Sequence, residues 1–299
     1  VDIEAIAWFA RVVDTGSFAA AARQLQQPAS TVSRRVARLE ESLGNKLLSR
    51  TTRSIALTDE GEQLIGYARH LLALQQQVED WRASRQNTPT GTLRITSPSG
   101  FSQGPLGTWM INFRQRYPQV KTELIHSNEY LDFQQHRLDI AFRQGPLPST
   151  SLVAKRILGI QWGVFASPEW AQQYSSIKTP ADLNHAPVIA IGVRGQTLPW
   201  RFKNQNCTPQ SVEMMFEDSN QCLQAAVAGI GCTYAARYDA LPLVNEGKLV
   251  ELLVDARADA ADFYMVMQSR EHRPLKSTVF IEHIEKEIAD FGQPEGIVW

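Results

Sequence analysis

Seven basic side chains lie between Arg23 and Arg53: Arg23, Arg34, Arg35, Arg38, Lys46, Arg50 and Arg53. Only Glu40 and Glu41 oppose them, on a chain of 299 residues whose formal charge is -1. The whole chain is therefore near neutral, and the basic footprint is local. Ser30, Thr31 and Ser33 interleave hydroxyls with these charges. Arg34 and Arg38 are one helical turn apart, off the apolar face of Val32, Val36 and Leu39. Hydroxyls and backbone N–H groups bind phosphates, and an arginine fork reads base edges. This chemistry suits double-stranded DNA. Pro28, Ser30, Thr31, Ser33, Arg34, Arg35, Arg38, Arg50 and Arg53 are the candidate contacts.

The surrounding sequence can position them. Ile3, Ile6, Ala7, Ala10 and Val13 repeat at helical spacing. Gly16 ends that helix, and Ser17 caps a short one over Phe18–Leu25. Gln26 and Gln27 turn the chain, and Pro28 opens a third helix ending at Leu43 before Gly44. Two helices so closely joined read as a helix-turn-helix. Lys46–Arg50 and Ser54–Thr58 read as the strands of a small hairpin, or wing. Thr58 then caps a long helix to about Gln86, roughly 40 Å at 1.5 Å per residue. Leu64, Ala68, Leu71, Leu74, Val78 and Trp81 step along it as a dimerising seam. Asn87–Gly91 breaks the pattern as a hinge.

Beyond the hinge, strand and helix patterns alternate, which predicts parallel sheets with helices on both faces. Strands are expected near Leu93–Ser97, Val120–Ser127, Asp139–Arg143, Leu152–Leu158, Gln161–Ser167, Val188–Val193, Val212–Glu217 and Cys232–Ala235. Helices are expected near Gly104–Tyr117, Asn220–Ala228 and Lys276–Phe291, with a short one leading to the strand Asp139–Arg143. In such sheets, ligands meet strand ends and helix N-termini. Two loops qualify: Ser97–Ser102, with Ser99, Gly100, Phe101 and Ser102, and the Ser219-Asn220 pair.

Other chemistries fit some of the same residues. Gly100-Phe101-Ser102-Gln103-Gly104 matches the G-x-S-x-G elbow of serine hydrolases. Yet Pro98–Phe101 separates Ser102 from its strand, and only one α/β strand precedes it, so no enzyme is expected. Cys222 and Cys232, ten residues apart, offer an alternative thiol redox sensor, though no basic residue adjoins either. Six histidines and three cysteines show no ligand spacing, so no metal or other cofactor is expected. No apolar run spans a bilayer and no signal peptide is visible, which predicts a cytoplasmic protein without a membrane partner.

Five motifs carry a family likeness: Ser17-Phe18-Ala19-Ala20-Ala21-Ala22, Pro28-Ala29-Ser30-Thr31-Val32-Ser33-Arg34, Leu39-Glu40-Glu41-Ser42-Leu43-Gly44, Leu47-Leu48-Ser49-Arg50 and Leu57-Thr58-Asp59-Glu60-Gly61. Together they resemble the N-terminal domain of LysR-type transcriptional regulators. Leu93-Arg94-Ile95, Asp139-Ile140-Ala141-Phe142-Arg143 and Ala228-Gly229-Ile230-Gly231 extend the resemblance more weakly to about residue 291. It implies an α/β chain with an N-terminal all-α winged helix-turn-helix, a long linker helix, and two Rossmann-like lobes of periplasmic-binding-protein type. The expected limits are 1–58 for the DNA-binding domain, 59–86 for the linker helix and 87–91 for the hinge. Residues 92–299 form the effector domain, with lobe I near 92–162 and 268–299 and lobe II near 163–267. The resemblance implies a homodimer or homotetramer on a pseudo-palindromic site, controlled by a small-molecule effector. It adds Asn128, Arg143 and Trp200 to the cleft, with Arg143 placed to pair with a carboxylated effector and Trp200 to wall it. The segment Gly292–Trp299 has no counterpart in the resemblance.

Overall fold

The computed structural model describes residues 2–50, 55–84, 88–148, 152–268, 273–292 and 294–299. It divides into two units: Val1–Thr88 with Asp132–Leu138, and Pro89–Leu131 with Asp139–Trp299.

The first unit holds helices α1 (Ile3–Thr15), α2 (Phe18–Leu25), α3 (Ala29–Leu43) and α4 (Asp59–Ser84), with strands β1 (Leu48–Arg50) and β2 (Ile55–Leu57). Side chains cap three of the helix starts. Asp2 accepts from the N–H groups of Glu4 and Ala5, and Ser17 from that of Ala20. Thr58 accepts from Gly61 N–H at 3.0 Å and donates to the Lys46 carbonyl, so one hydroxyl caps α4 and holds the wing. Gly16 and Gly44 take the left-handed conformation that ends α1 and α3. Val32, Val36 and Leu39 face inward against Phe9, Ala10 and Val12 in one apolar core. The wing strands pair antiparallel, Leu48 opposite Leu57 and Arg50 opposite Ile55.

The linker seam differs from expectation at its start, while Leu74 and Val78 of that seam are exposed. Ala68 is fully buried in the core of this unit, beside Ile65 and Leu72. The outward apolar residues are Tyr67, Leu74 and Val78. The reason is phase: the first turns of α4 belong to the head's own core, so its free stripe is rotated relative to Leu64 and Ala68. The side chain of Trp81 and residues 85–87 lie outside what is described.

The second unit has two lobes. Lobe I contains strands β3 (Gly91–Ser97), β4 (Val120–His126), β5 (Ile140–Gln144) and β6 (Val153–Ile160), and helices α5 (Ser99–Gln103) and α6 (Pro105–Arg116). Lobe II contains β7 (Trp162–Ala166), α7 (Pro168–Gln173), β8 (Val188–Val193), β9 (Gln196–Thr197), β10 (Trp200–Arg201), β11 (Asn206–Cys207), β12 (Val212–Phe216), α8 (Ser219–Val227), β13 (Cys232–Ala236), α9 (Arg237–Asn245) and β14 (Val250–Leu252). The chain then returns to lobe I through β15 (Ala261–Met267), α10 (Leu275–Phe291) and β16 (Ile297–Val298).

The sheets run β16-β6-β15-β5-β3-β4 in lobe I and β12-β8-β13-β7-β14 in lobe II. They are mixed, not purely parallel. β3 is parallel to β4 and β5, but β15 runs antiparallel to both β5 and β6. In lobe II, β12, β8 and β13 are parallel while β7 runs against β13 and β14. The cause is the double crossing. In each sheet the reversed strand, β7 in lobe II and β15 in lobe I, is the first one after the chain crosses over. The return crossing also moves a boundary: Ala261–Met267 belongs to the lobe I sheet, so lobe II ends before residue 261. The expected short helix before β5 is replaced by turns. Lobe I is filled by Phe101, Trp109, Phe113, Phe142, Phe263 and Phe280 among others.

Candidate DNA-binding face and effector cleft

On the first unit, α3 presents Arg34 and Arg38 on its exposed side, and neither makes an ion pair among the described residues. Pro28 and Ser30 are exposed at its start, and Thr31 and Ser33 are half-buried. No side chain caps this helix N-terminus, which leaves its first N–H groups able to meet a phosphate.

Arg35 is different. Its guanidinium lies 3.0 Å from Asp2 and 2.6 Å from Glu4, and stacks over the Trp8 ring at 4.6 Å. Sequence spacing groups it with Arg34, but one residue is about 100° of helix, which turns Arg35 toward α1. Its guanidinium packs against α1 and is not presented on the exposed side with Arg34 and Arg38. Arg50 ends β1, where nothing is described of its side chain, and Arg53 lies outside the described residues.

Glu40 is 2% exposed at the end of α3 and ties that helix to the wing. It accepts from Leu47 N–H at 3.0 Å, Leu48 N–H at 3.1 Å and Lys46 Nζ at 2.9 Å. Burial pushes its pKa up, but these bonds outweigh burial and the net shift is downward.

In the second unit, a cavity of about 50 Å³ lies at the seam of the lobes. Its lining includes Ser99, Gly100, Phe101, Asn128 and Ser219 from the expected set. It also includes Gln144, Trp162, Ile191, Tyr238, Asp239 and Phe263, which the sequence pattern does not single out. A usable signal existed: Tyr238 and Asp239 follow closely on β13, where ligands of α/β sheets gather.

Several bonds cross the seam and hold it shut. Ser99 Oγ (3.3 Å) and Asn128 Nδ2 (2.8 Å) both donate to the Glu217 carbonyl. Gln103 donates to Asp218 and accepts from Asn220, each at 2.5 Å. Trp162 Nε1 donates to Gln144 Oε1 at 3.0 Å. Arg194 meets Glu129 through two 2.6 Å bonds, a bidentate pair. Thus Ser99, Asn128 and Asn220 serve as clasps between lobes. Asp218 also caps α8, accepting from Asn220 and Gln221 N–H, which takes up the anion-binding capacity expected there.

Four expected residues stand elsewhere, Asn220 among them, on its bond to Gln103 outside the lining. Arg143 is 4% exposed and absent from the cavity lining. It donates to the Ser127 carbonyl and to Thr96 Oγ1, with the Tyr130 ring 5.8 Å away, and burial pushes it down to about 10. Trp200 is buried in lobe II, stacked on Tyr234 at 5.6 Å. The tryptophan that walls the cavity is Trp162, which stacks on the same Tyr234 at 5.4 Å. Ser102 is buried behind the lining, its Oγ 2.9 Å from the Pro98 and Ser99 carbonyls and 2.6 Å from His126 Nδ1.

That last contact resembles half of a hydrolase triad in residue type only. The single Oγ proton has two carbonyl acceptors, and no acid orients His126 among the described residues. The redox alternative also lacks its chemistry. Burial pushes the thiols of Cys222 and Cys232 up to about 12, so neither supplies a thiolate near neutral pH. Among the described residues no cluster suits a metal, and no helix is long and apolar enough to cross a membrane.

Asp239 is the distinctive acid of the cleft. Burial pushes it up to about 7, Tyr238 opposes that through a hydrogen bond, and the Asp218 charge adds to it. A wider depression of about 550 Å³ lies elsewhere on lobe II. Glu251 in its wall is already paired with Arg237 and Arg257.

Comparison with known proteins covers both units. Residues 3–62 match the bacterial regulatory helix-turn-helix of the lysR family, and residues 86–289 match the LysR substrate binding domain. The regulator CrgA of Neisseria meningitidis is 30% identical over 290 residues, covering 96% of this chain and 97% of that protein. The transcriptional activator AaeR of Escherichia coli is 30% identical, covering 95% of this chain and 93% of that protein. The solved structure of CrgA aligns with TM-score 0.60 at 27% identity, covering 97% of this chain and 99% of that one. Full-length AphB of Vibrio cholerae shares the fold with TM-score 0.63 at 24% identity, covering 95% of this chain and 98% of that one.

Proposed function

Because this chain belongs to the LysR family of DNA-binding transcriptional regulators, with an effector-binding domain following the DNA-binding one in sequence, we propose specific roles for its residues. Helix α3 enters a major groove, with Arg34 and Arg38 toward the bases and Ser30, Thr31, Ser33 and Pro28 along the backbone. Arg50 and Arg53 serve the wing's backbone contacts. The observation that carries this is the exposed Arg34/Arg38 side of a helix whose opposite face is core. Two chains join through the Tyr67, Leu74 and Val78 stripe of α4 and hold two half-sites of a pseudo-palindrome. A pair of such dimers would give the tetramer. The protein acts in the cytoplasm, where its DNA lies.

Control comes from a small molecule held at the lobe seam, contacting Gly100, Ser99, Trp162, Ser219, Tyr238 and Asp239. It acts by favouring one arrangement of the lobes over another, through the bonds on the Glu217 carbonyl and Asp218. Genomic footprinting of the wild type beside Arg34→Ala tests the reading. Discrete sites with two-fold symmetry, lost in the variant, support it. Undiminished sites in the variant refute the role of Arg34.

A further inference from the structure

The chemistry of the cleft points to its ligand, provided the seam is the effector site as proposed above. Two buried polar atoms in the lining have no hydrogen-bond partner among the described residues: Ser219 Oγ and Asp239 Oδ2. Ser219 is 6% exposed. Both atoms crowd the same spot. A methyl group placed on Gly100 would sit 2.7 Å from Ser219 Oγ and 3.2 Å from Asp239 Oδ2. Nearly every buried polar atom in a folded protein is paired, so two at one point mark a place where a partner belongs.

The sign of that partner follows from the lining. It contains one carboxyl group, on Asp239, and neither lysine nor arginine. Asp218 already occupies the N-terminus of α8, so the helix end adds no free positive pole. Arg143, the cation expected in the cleft, is buried away from the cavity on the Ser127 carbonyl and Thr96. A carboxylate here would face an acid with no lysine or arginine in the lining to compensate it. A donor would satisfy both free oxygens. Ser99, Asn128 and Gln144 in the lining are already engaged in bonds across the seam, and the other walls are largely apolar or aromatic: Phe101, Ile160, Trp162, Ile191 and Phe263. Such rings favour a cationic head as well as an apolar body.

We infer that the effector is a small amine, its donor head seated between Asp239 and Ser219 and its apolar body along Trp162 and Phe263. The clasped seam admits only a head of a few heavy atoms in about 50 Å³, so the body enters as the clasps on Glu217 and Asp218 part. This reverses the carboxylated effector expected from the sequence.

The test uses the full chain and matched fragments with a common body: benzylamine, phenethylamine, benzyl alcohol, benzoate and phenylacetate, within a wider set of amines, alcohols and acids. Binding is read by saturation-transfer NMR on the wild type, Asp239→Asn, Ser219→Ala and Gly100→Ala. Thermal unfolding verifies that each variant is folded. The expected result is amine binding that weakens by at least about thirtyfold in Asp239→Asn and is blocked in Gly100→Ala. Acids that bind and are lost in Gly100→Ala would overturn the amine while leaving the seam as the site. Binding that survives Gly100→Ala, or no binding by any fragment, would overturn the seam as well.

Discussion

The carboxylate of Glu40, near the end of α3, accepts the backbone N–H of Leu47 at 3.0 Å in the segment leading to the wing. The helix and the wing are therefore tied together through one side chain. Truncation by Glu40→Ala leaves the N–H groups of Leu47 and Leu48 unpaired at a buried site. A loss of about 2–3 kcal/mol in urea unfolding is expected. Because the folded pKa lies below the usual carboxylate value, the stability Glu40 contributes is present above the unfolded pKa. It is lost as pH falls through the folded one. Wild type should therefore lose its advantage over Glu40→Gln on acidification, and unfolding curves measured from neutral to acid pH check this.

Arg34 and Arg35 are adjacent in sequence and should differ in effect. Arg34→Ala is expected to cost about 1–3 kcal/mol of specific affinity and to relax base preference at one position. Arg35→Ala removes two partly exposed ion pairs and the stack on Trp8, so it should lower thermal stability by about 1 kcal/mol and leave base preference intact. Selection of bound sequences from a random pool, run beside thermal melts, separates the two.

Gly100 sits where the lobes approach closely, and a side chain there must push Ser219 or Asp239 away. Gly100→Ala is expected to loosen the seam. Hydrogen exchange should quicken at the start of α8 and around Asn128, with no change in the α1–α3 helices. Unaltered exchange at α8 would show that the seam absorbs the methyl group.

The C-terminal strand β16 pairs with β6 and buries Ile297 to 6% exposure. Next to it, Glu295 meets Arg237 at 2.8 Å, although that carboxylate is largely exposed. Ile297→Ala should cost about 2–4 kcal/mol, and Glu295→Ala less than about 1 kcal/mol. Equal losses in thermal unfolding would mean the ion pair, not the apolar seat, anchors the strand.

The thiols of Cys222 and Cys232 lie at about 12. Iodoacetamide at a mildly alkaline pH should leave both unmodified in the folded protein and alkylate both in denaturant. Mass spectrometry reads the outcome, and rapid native labelling would restore the thiol-sensor reading.

The sequence by itself determined the DNA-binding head almost residue by residue. Ser17, Pro28, Gly44 and Thr58 mark element ends through local backbone chemistry, and the Val32/Val36/Leu39 spacing orients α3 within its own few turns. Strand β8 at Val188–Val193 and helix α10 were legible for the same reason. What the tertiary structure decided is which like residues do which work. Arg35 went to Asp2, Glu4 and Trp8, across a distance that local spacing does not encode. Ala261–Met267 joined the sheet of lobe I because strand partners are chosen by the return of the chain, not by the strand's own pattern. Asp239 and Trp162 reached the cleft, while Arg143 and Trp200 were buried away from it, through packing between segments far apart in the chain. Periodicity reports on neighbours within a turn or a strand, and a cleft is made of residues that are not neighbours until the chain has folded.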